Sequence, residues 1–505
     1  MTRAEQRIVG VVGAGAMGRG IAQWAAQAGF AVILHDANLA AAMDAVASIT
    51  ASLHRLAAKG TLSEAAAHSC IERVAVADGI GAFAPADIVI EAIVERLDAK
   101  QSLFAALEHI VSDTCIIATN TSSLSVSAIA SAAARPGRIA GLHFFNPVPL
   151  MRVVEVIAGE RTAPVTIDLL CDIVARTGHR AIRCQDTPGF LINHAGRGLS
   201  SEGLRIVQEG IADYATIDRL IRDAAGFRMG PFELMDLTGL DVSFAVMETI
   251  YNQFYQEPRF RPSPLPARRV AAGLLGRKTG EGFYRYTDEK PGPDPAPPPT
   301  PPRSLWISPS ARPALRSLER ELIAAGIPLD DADRPMAGSV CIVAPWGVDA
   351  TMTAIAETLD PARTVAIDPL FVERATTLML TATTAPDYRD AAVAALTRIS
   401  RPVSVINDSP GFVVQRVLAT IVNIACDIAQ QRIASPDDID AAVQLGLGYP
   451  AGPLTLGDRI GGANIMAILE AMHGFYGDPR YRASPWLRRR AALGQSLTTP
   501  EAVRH

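Results

Sequence analysis

The stretch IVGVVGAGAMGRGIAQ, residues 8–23, decides how the rest of the chain is read. An apolar run, Ile8 to Val12, enters Gly13, Gly15 and Gly18 at the G-x-G-x-x-G spacing, and a helical stretch, GIAQWAAQAG, continues to Gly29. In that context the first glycine permits a tight strand-to-helix turn. The second lets backbone approach a pyrophosphate, and the third allows close helix-to-strand packing. Unpaired N–H groups and the helix dipole then favour a phosphate at the helix start. The next apolar run, AVILHD, ends in Asp36, at the distance expected of a carboxylate that binds the adenosine ribose hydroxyls. Ala37, Asn38 and Leu39 follow, so no cation is offered to a 2′-phosphate, and NAD is expected rather than NADP.

Working outward, residues 1–185 alternate buried-strand candidates with helical stretches. IVIEAI, CIIATN and IAGLHFF continue the pattern of a doubly wound parallel sheet wrapped by helices. Residues 186–290 lose strand runs and predict a helical substrate or dimerisation domain. A linker over 291–304 follows, whose PGPDPAPPPTPP favours an extended conformation spanning roughly 37 Å at ~3.1 Å per residue.

Displaced by 222 residues, the chain matches itself: Asp186-Thr187-Pro188-Gly189-Phe190 falls on Asp408-Ser409-Pro410-Gly411-Phe412, and Asp218 on Asp440. Gly230-Pro231 meets Gly452-Pro453, and Asp236 meets Asp458. This predicts a shortened, degenerate sheet domain over 305–405, with SVCIVAP and RTVAIDP as strands, and a second helical domain over 406–505.

With 505 residues, 49% hydrophobic and 20% charged, the chain is an ordinary globular one, large enough for several cores. A net charge of −5 offers no broad basic field, so no nucleic-acid or membrane partner is expected, and Arg488 to Arg490 read as a solvated helix face. Six scattered cysteines show no metal-ligand spacing, so no metal is expected. They suit small core positions in a reducing, cytoplasmic compartment. No long uncharged apolar run suggests a membrane span, and the apolar stretch at Ile8 reads as a strand and not as a leader.

The chemistry is expected where IAGLHFFN, residues 139–146, ends in His143. Groups at strand carboxyl ends face the ligand crevice of an open sheet. An imidazole there can take a hydroxyl proton and return it. Twelve residues on, MRVVEVIAG places Glu155 among aliphatics, where leaving a carboxylate unpaired costs about 3–5 kcal/mol. Pairing with His143 would remove that cost and orient the ring. The plain alternative is a structural histidine and an edge-exposed glutamate.

GAGAMGRGIAQ (13–23), VIEAIVERLDAKQSLFAAL (89–107), IIATNTSSLSVSAIA (116–130), GLHFFNPVPLMRVVEV (141–156), DTPGFLINH (186–194) and GRKTGEGFY (276–284) together resemble the 3-hydroxyacyl-CoA dehydrogenase family over nearly the whole chain. The resemblance implies reversible NAD-dependent oxidation of an (S)-3-hydroxyacyl-CoA, with His143 and Glu155 as the catalytic pair. It implies that Ser122 and Asn193 position the substrate's oxygen functions. Gly13, Gly15, Gly18, Asp36, Glu95, Lys100, Asn120, Asn146 and Lys278 would surround NAD, and Ser52 and Lys59 would meet the CoA moiety.

The duplicated form resembles bacterial 3-hydroxybutyryl-CoA and 3-hydroxyadipyl-CoA dehydrogenases. It implies fatty-acid metabolism by β-oxidation or phenylacetate catabolism, in a homodimer or a pseudo-dimeric monomer. His194 stands where the family commonly has arginine. In the second half Val365, Thr377 and Gln415 replace His143, Glu155 and Asn193, so that half is expected to supply architecture. The rival readings are a lysine-dependent β-hydroxyacid dehydrogenase acting on free acids, and a non-catalytic NAD-binding structural relative.

Overall fold

The computed structural model describes residues 7–286, 303–399 and 403–501; the proline-rich 291–302 lies outside the described residues. Among the described residues, fourteen strands form two sheets. The first contains β1 (Ile8–Val12), β2 (Ala31–His35), β3 (Val74–Ala77), β4 (Ile88–Glu91), β5 (Ile116–Thr119), β6 (Ile139–Phe144), β7 (Val153–Ala158) and β8 (Arg180–Gln185). Its order is β3-β2-β1-β4-β5-β6-β7-β8. β4, β5 and β6 are buried along their whole length because helices cover both faces, which is why they read as unbroken apolar runs.

One expectation needs correction: the sheet is not wholly parallel. β7 runs antiparallel to β6, whereas β6 pairs in parallel with β5 and β7 in parallel with β8. The physical reason is the connection, residues 145–152, which is shorter than the dozen or more residues that a parallel crossover requires.

The second sheet contains β9 (Leu305–Ile307), β10 (Leu329–Asp330), β11 (Val340–Val343), β12 (Thr364–Ile367), β13 (Thr376–Leu380) and β14 (Val403–Ile406), in the order β10-β9-β11-β12-β13-β14. Its only antiparallel pair among the described residues, β12 with β13, is again joined by an eight-residue connection. The rest of the described chain is helical from Ile192 to Ala271 and from Val413 to Leu493, interrupted by short turns.

The chain divides into two compact units that do not follow chain order. Met1–His194 forms one together with Arg432–Leu447, and Ala195–Gln431 with Gly448–His505 forms the other. In the first, helix Pro436–Leu447 packs on β7 and β8, and Gln185 N–H donates to the Ile433 carbonyl at 3.0 Å. In the second, Asn407 N–H donates to the Ile211 carbonyl at 2.9 Å, and Asn407 Nδ2 to the Gly210 carbonyl at 2.8 Å.

Helix Val413–Gln430 is apolar and long enough to cross a membrane, yet 83% of it is buried within the fold, as in a core helix. Its Arg416 is enclosed by Glu202, Glu209, Ser409, Tyr476 and Tyr481. All six cysteines are buried and unbridged. The arginine run at 488–490 departs from expectation. Arg488 and Arg489 are exposed, but Arg490 turns inward onto Trp486, 3.2 Å from the ring centroid, and donates to the Thr499 carbonyl. The apolar stem and planar head suit that stacking.

Asp368, at the start of the β12–β13 connection, is buried with one carboxyl oxygen unpartnered. Its other oxygen accepts from Leu370 N–H and Gln415 Nε2, both neutral donors. Burial pushes this carboxyl up to about 7 against the relief from those bonds. The folded state therefore binds a proton that the unfolded state has released, and stability falls as pH rises from about 4 to about 7. Asp368→Asn keeps the acceptor oxygen and removes that slope. Chemical denaturation at pH 4.5 and 7.5 should show the variant gaining on the order of 2–3 kcal/mol over the parent at the higher pH. An unchanged slope would refute a buried neutral acid at this position.

Candidate active site

The turn after β1 is built as its glycines imply. Gly13 has φ +102°, and a Cβ there would overlap the Ala92 carbonyl. A Cβ on Gly18 would overlap the Gly13 carbonyl, so the helix Ala16–Gln27 can approach its strand only with glycine at this position. At Gly15 the Cβ direction is open, with nothing within 4 Å. The helix start has neither a side-chain cap nor an acidic residue in its first turn. Exposed donors and free space over Gly15 fit a pyrophosphate. Asp36 is held at the end of β2, accepting from Ala14 N–H at 2.7 Å and Asn38 N–H at 2.9 Å. The chain's own residues therefore fit a dinucleotide.

Beside it, the ends of β4 and β5 carry a charged network. Glu91, fully buried, accepts from Lys100 Nζ at 2.5 Å, Thr119 Oγ1 at 2.7 Å and Ile93 N–H at 2.7 Å. Lys100 also lies 3.2 Å from Glu95. Lys100 is itself buried, so its ammonium fixes the two carboxylates from below the loop. Glu95 accepts from Thr121 Oγ1 and Ser123 Oγ and from the backbone of Ser122 and Ser123. Burial raises its carboxyl, but the Thr121 and Ser123 hydroxyls and the Lys100 charge outweigh that, leaving it below its usual range. Asn120 Oδ1 accepts from Phe144 N–H at 2.9 Å, tying the loop after β5 to the end of β6.

The antiparallel register puts His143 directly opposite Glu155. Directly opposed side chains share one face of a sheet, with Cβ atoms about 5 Å apart. Here His143 Nδ1 lies 2.6 Å from Glu155 Oε2. Glu155 is wholly buried and His143 nearly so. The other carboxylate oxygen of Glu155 accepts from Leu191 N–H at 3.0 Å and Ile192 N–H at 2.7 Å. A carboxylate only accepts, so the hydrogen sits on Nδ1, and Nε2 is left as the basic nitrogen. The rings of Phe145 and Phe190 stand 4.4 Å and 5.8 Å from the imidazole. Asn193 follows Ile192 directly, and Ser122 is exposed on the loop after β5.

A cleft of about 440 Å³ lies on the same unit, between helices Ala16–Gln27 and Leu39–Ala58 and the loop that leaves β6. Arg19, Gln23, Ser48, Ser52 and Arg55 line it, facing Asn146 to Leu150. Its lining includes two guanidinium groups and no carboxylate, and neither arginine makes an ion pair among the described residues. Of the two residues expected to meet CoA, Ser52 lines this cleft; Lys59 is exposed at the helix end and outside the lining. Arg19 and Arg55 were not picked out from sequence. A usable signal existed, because Ser48, Ser52 and Arg55 recur at helical spacing on one face. Lys278 belongs to the other unit, where its ammonium pairs with Asp241 at 2.5 Å.

Comparison with known proteins identifies the family. The family model "3-hydroxyacyl-CoA dehydrogenase, NAD binding domain" matches residues 8–187, and that of the C-terminal domain of the same family matches 189–286 and 411–499. The chain is 37% identical to the 3-hydroxyadipyl-CoA dehydrogenase of Escherichia coli K12, over 96% of this chain and 97% of that protein. The crystal structure of a 3-hydroxybutyryl-CoA dehydrogenase from E. coli K12 superposes with a TM-score of 0.84 at 35% identity, covering 97% of this chain and 99% of the other. That of the (S)-3-hydroxybutyryl-CoA dehydrogenase from Ralstonia eutropha, at 39% identity and a TM-score of 0.55, is matched over its full length by 56% of this chain. With both family models matched and the similarity running end to end, this chain belongs to the 3-hydroxyacyl-CoA dehydrogenase family.

Proposed function

We propose that the chain oxidises the C3 hydroxyl of a 3-hydroxyacyl-CoA to the ketone, reversibly, with His143 as base and acid and Glu155 as its support. The observation that carries this reading is the buried 2.6 Å contact between the two side chains at the ends of paired strands. With Nδ1 engaged by Glu155, Nε2 takes the hydroxyl proton in oxidation and returns it in reduction. The carboxylate, anchored by two backbone N–H groups, favours the imidazolium that forms. Gly15 and Asp36 would hold NAD, which would supply the hydride acceptor. Ser122 and Asn193, on the loop after β5 and beside Ile192, are the residues we assign to the substrate oxygens. Formation of NADH across short, long and ω-carboxylated 3-hydroxyacyl-CoAs tests the reading, and activity confined to free hydroxyacids would overturn it.

We assign the phosphates of CoA to the cleft that holds Arg19, Ser52 and Arg55. A guanidinium pairs with phosphate through paired N–H donors, and this contact persists unchanged through the reaction. Arg55→Ala is therefore expected to raise KM for the acyl-CoA about tenfold with kcat retained, as for loss of uniform binding. A parallel rise in KM for NAD would move Arg55 to the other ligand.

We read residues 303–501 as a shortened, degenerate copy of the first half, which makes the chain a pseudo-dimeric monomer. The two matches to the C-terminal family model and the repeated antiparallel pair support this. So do the reciprocal bonds Gln185 to Ile433 and Asn407 to Ile211, which exchange roles under the 222-residue displacement as in isologous pairing. A solution mass of one chain is expected. Six buried, unbridged cysteines support a cytoplasmic setting. Similarity to a 3-hydroxyadipyl-CoA dehydrogenase supports a role in phenylacetate catabolism, which preference for the ω-carboxylated substrate would bear out.

A further inference from the structure

We propose that the second half of the chain positions the catalytic carboxylate through helix Pro436–Leu447, with Gly446 as the positioning residue. The inference rests on the reading of His143 and Glu155 given above and asks what keeps Glu155 in place.

Ile439, Ala442, Val443 and Gly446 recur at i, i+3, i+4 and i+7, forming one stripe of the helix, and the first three are buried. The helix packs on β7, the strand that carries Glu155, and on β8. Two polar contacts fix it there. Asp438 accepts from Arg180 at 2.7 Å, and the Ile433 carbonyl, just before the helix, accepts from Gln185 N–H. At its far end Gly446 meets Ile192: a Cβ on Gly446 would stand 2.7 Å from Ile192 Cδ1 and 3.3 Å from Cγ2. Ile192 is fully buried, and its N–H makes the shorter of the two backbone bonds to Glu155 Oε1.

The path from the second half to the chemistry is therefore short: Gly446 leaves room for the Ile192 side chain, the Ile192 N–H holds one oxygen of Glu155, and the other oxygen orients His143. None of these contacts involves the turn at Gly13 to Gly18 that receives the dinucleotide. A side chain at 446 should thus act on the proton-transfer pair and spare cofactor binding. Displacing a catalytic group by about 1 Å can cost up to ~10²-fold in rate.

Gly446→Ala is expected to lower kcat about three- to tenfold, because the contacts demand a shift of only a few tenths of an ångström, with KM for NAD and the affinity for NADH unchanged. Ile192→Val deletes Cδ1, the atom that the new methyl would meet, and Gly446→Ala/Ile192→Val should recover most of the lost kcat. A general loss of packing would not be repaired by removing a second buried carbon. Parental kcat in folded Gly446→Ala, or no recovery in the double variant, overturns the proposal. Should Gly446→Ala fail to fold, Arg180→Gln decides. It loosens the same helix at the opposite end and should lower kcat two- to threefold with KM for NAD kept; parental kcat there overturns the proposal. His143→Ala run in parallel separates the two levels. Full activity in that variant refutes the site itself, whereas its inactivity beside a parental Gly446→Ala refutes only the role of the helix.

Discussion

Replacing His143 by alanine is expected to lower kcat by about 10²–10⁴-fold while NADH still binds. Nε2 of this ring is the basic nitrogen, because the carboxylate of Glu155 engages Nδ1 at 2.6 Å. Without the ring, hydroxyl deprotonation falls to water, which has neither the position nor the basicity. Glu155 keeps its bonds from Leu191 and Ile192, so the strand pair retains two of three partners for the buried carboxylate. His143→Gln adds a control, because its amide can donate toward Glu155 but cannot cycle a proton. NADH fluorescence titration should give parental affinity in both variants, since Gly15 and Asp36 follow β1 and β2 and not the strand that carries His143. Turnover within fivefold of the parent in both folded variants would refute the acid–base assignment.

Replacing Arg416 by methionine is expected to destabilise the protein by about 3–5 kcal/mol, because it leaves a buried carboxylate without its counter-charge. Arg416 has no solvent exposure and Glu202 has 1%, and the guanidinium donates to Glu202 at 2.7 Å and Glu209 at 2.9 Å. Burial disfavours the Arg416 cation, but Glu202, Tyr481 and Glu209 outweigh that, so it stays charged. The same geometry explains why the pair need not be a net source of stability: both charges were withdrawn from water to form it. Arg416→Met/Glu202→Leu should therefore recover much of the loss. Calorimetric melting of parent, single and double variants measures this. A single variant that melts with the parent would show that the cluster carries no such dependence.

Much of the site was legible because its parts are local. Gly13, Gly15, Gly18 and Asp36 are spaced by the geometry of a strand, a turn, a helix and a strand, and the turn is built as that spacing demands. His143 and Glu155 were marked by chemistry: an imidazole ending an apolar strand, and a carboxylate among aliphatics that needs a partner. The cleft arginines escaped notice because Arg19 and Arg55 stand 36 residues apart, on two helices whose separation no periodicity reports. Lys100 shows the converse limit. Its place in a matching motif set it among the residues expected to surround NAD, but its burial against Glu91 and Glu95 depends on the packing of three segments.

Arg416 and the helix Pro436–Leu447 lay further beyond reach. Arg416 stands 222 residues after His194, so the register between the halves was visible, whereas its partners Glu202 and Glu209 come from the other half. By itself, the sequence determined which strands are buried, where the glycine turn lies and which imidazole and carboxylate stand as partners. Those properties follow from backbone periodicity and side-chain chemistry over short spans. Only the tertiary structure decided that β7 returns antiparallel with Glu155 facing His143, and that a helix of the second half completes the unit that holds them. Register and packing depend on surfaces that meet only after the chain has folded, and no local pattern encodes that meeting.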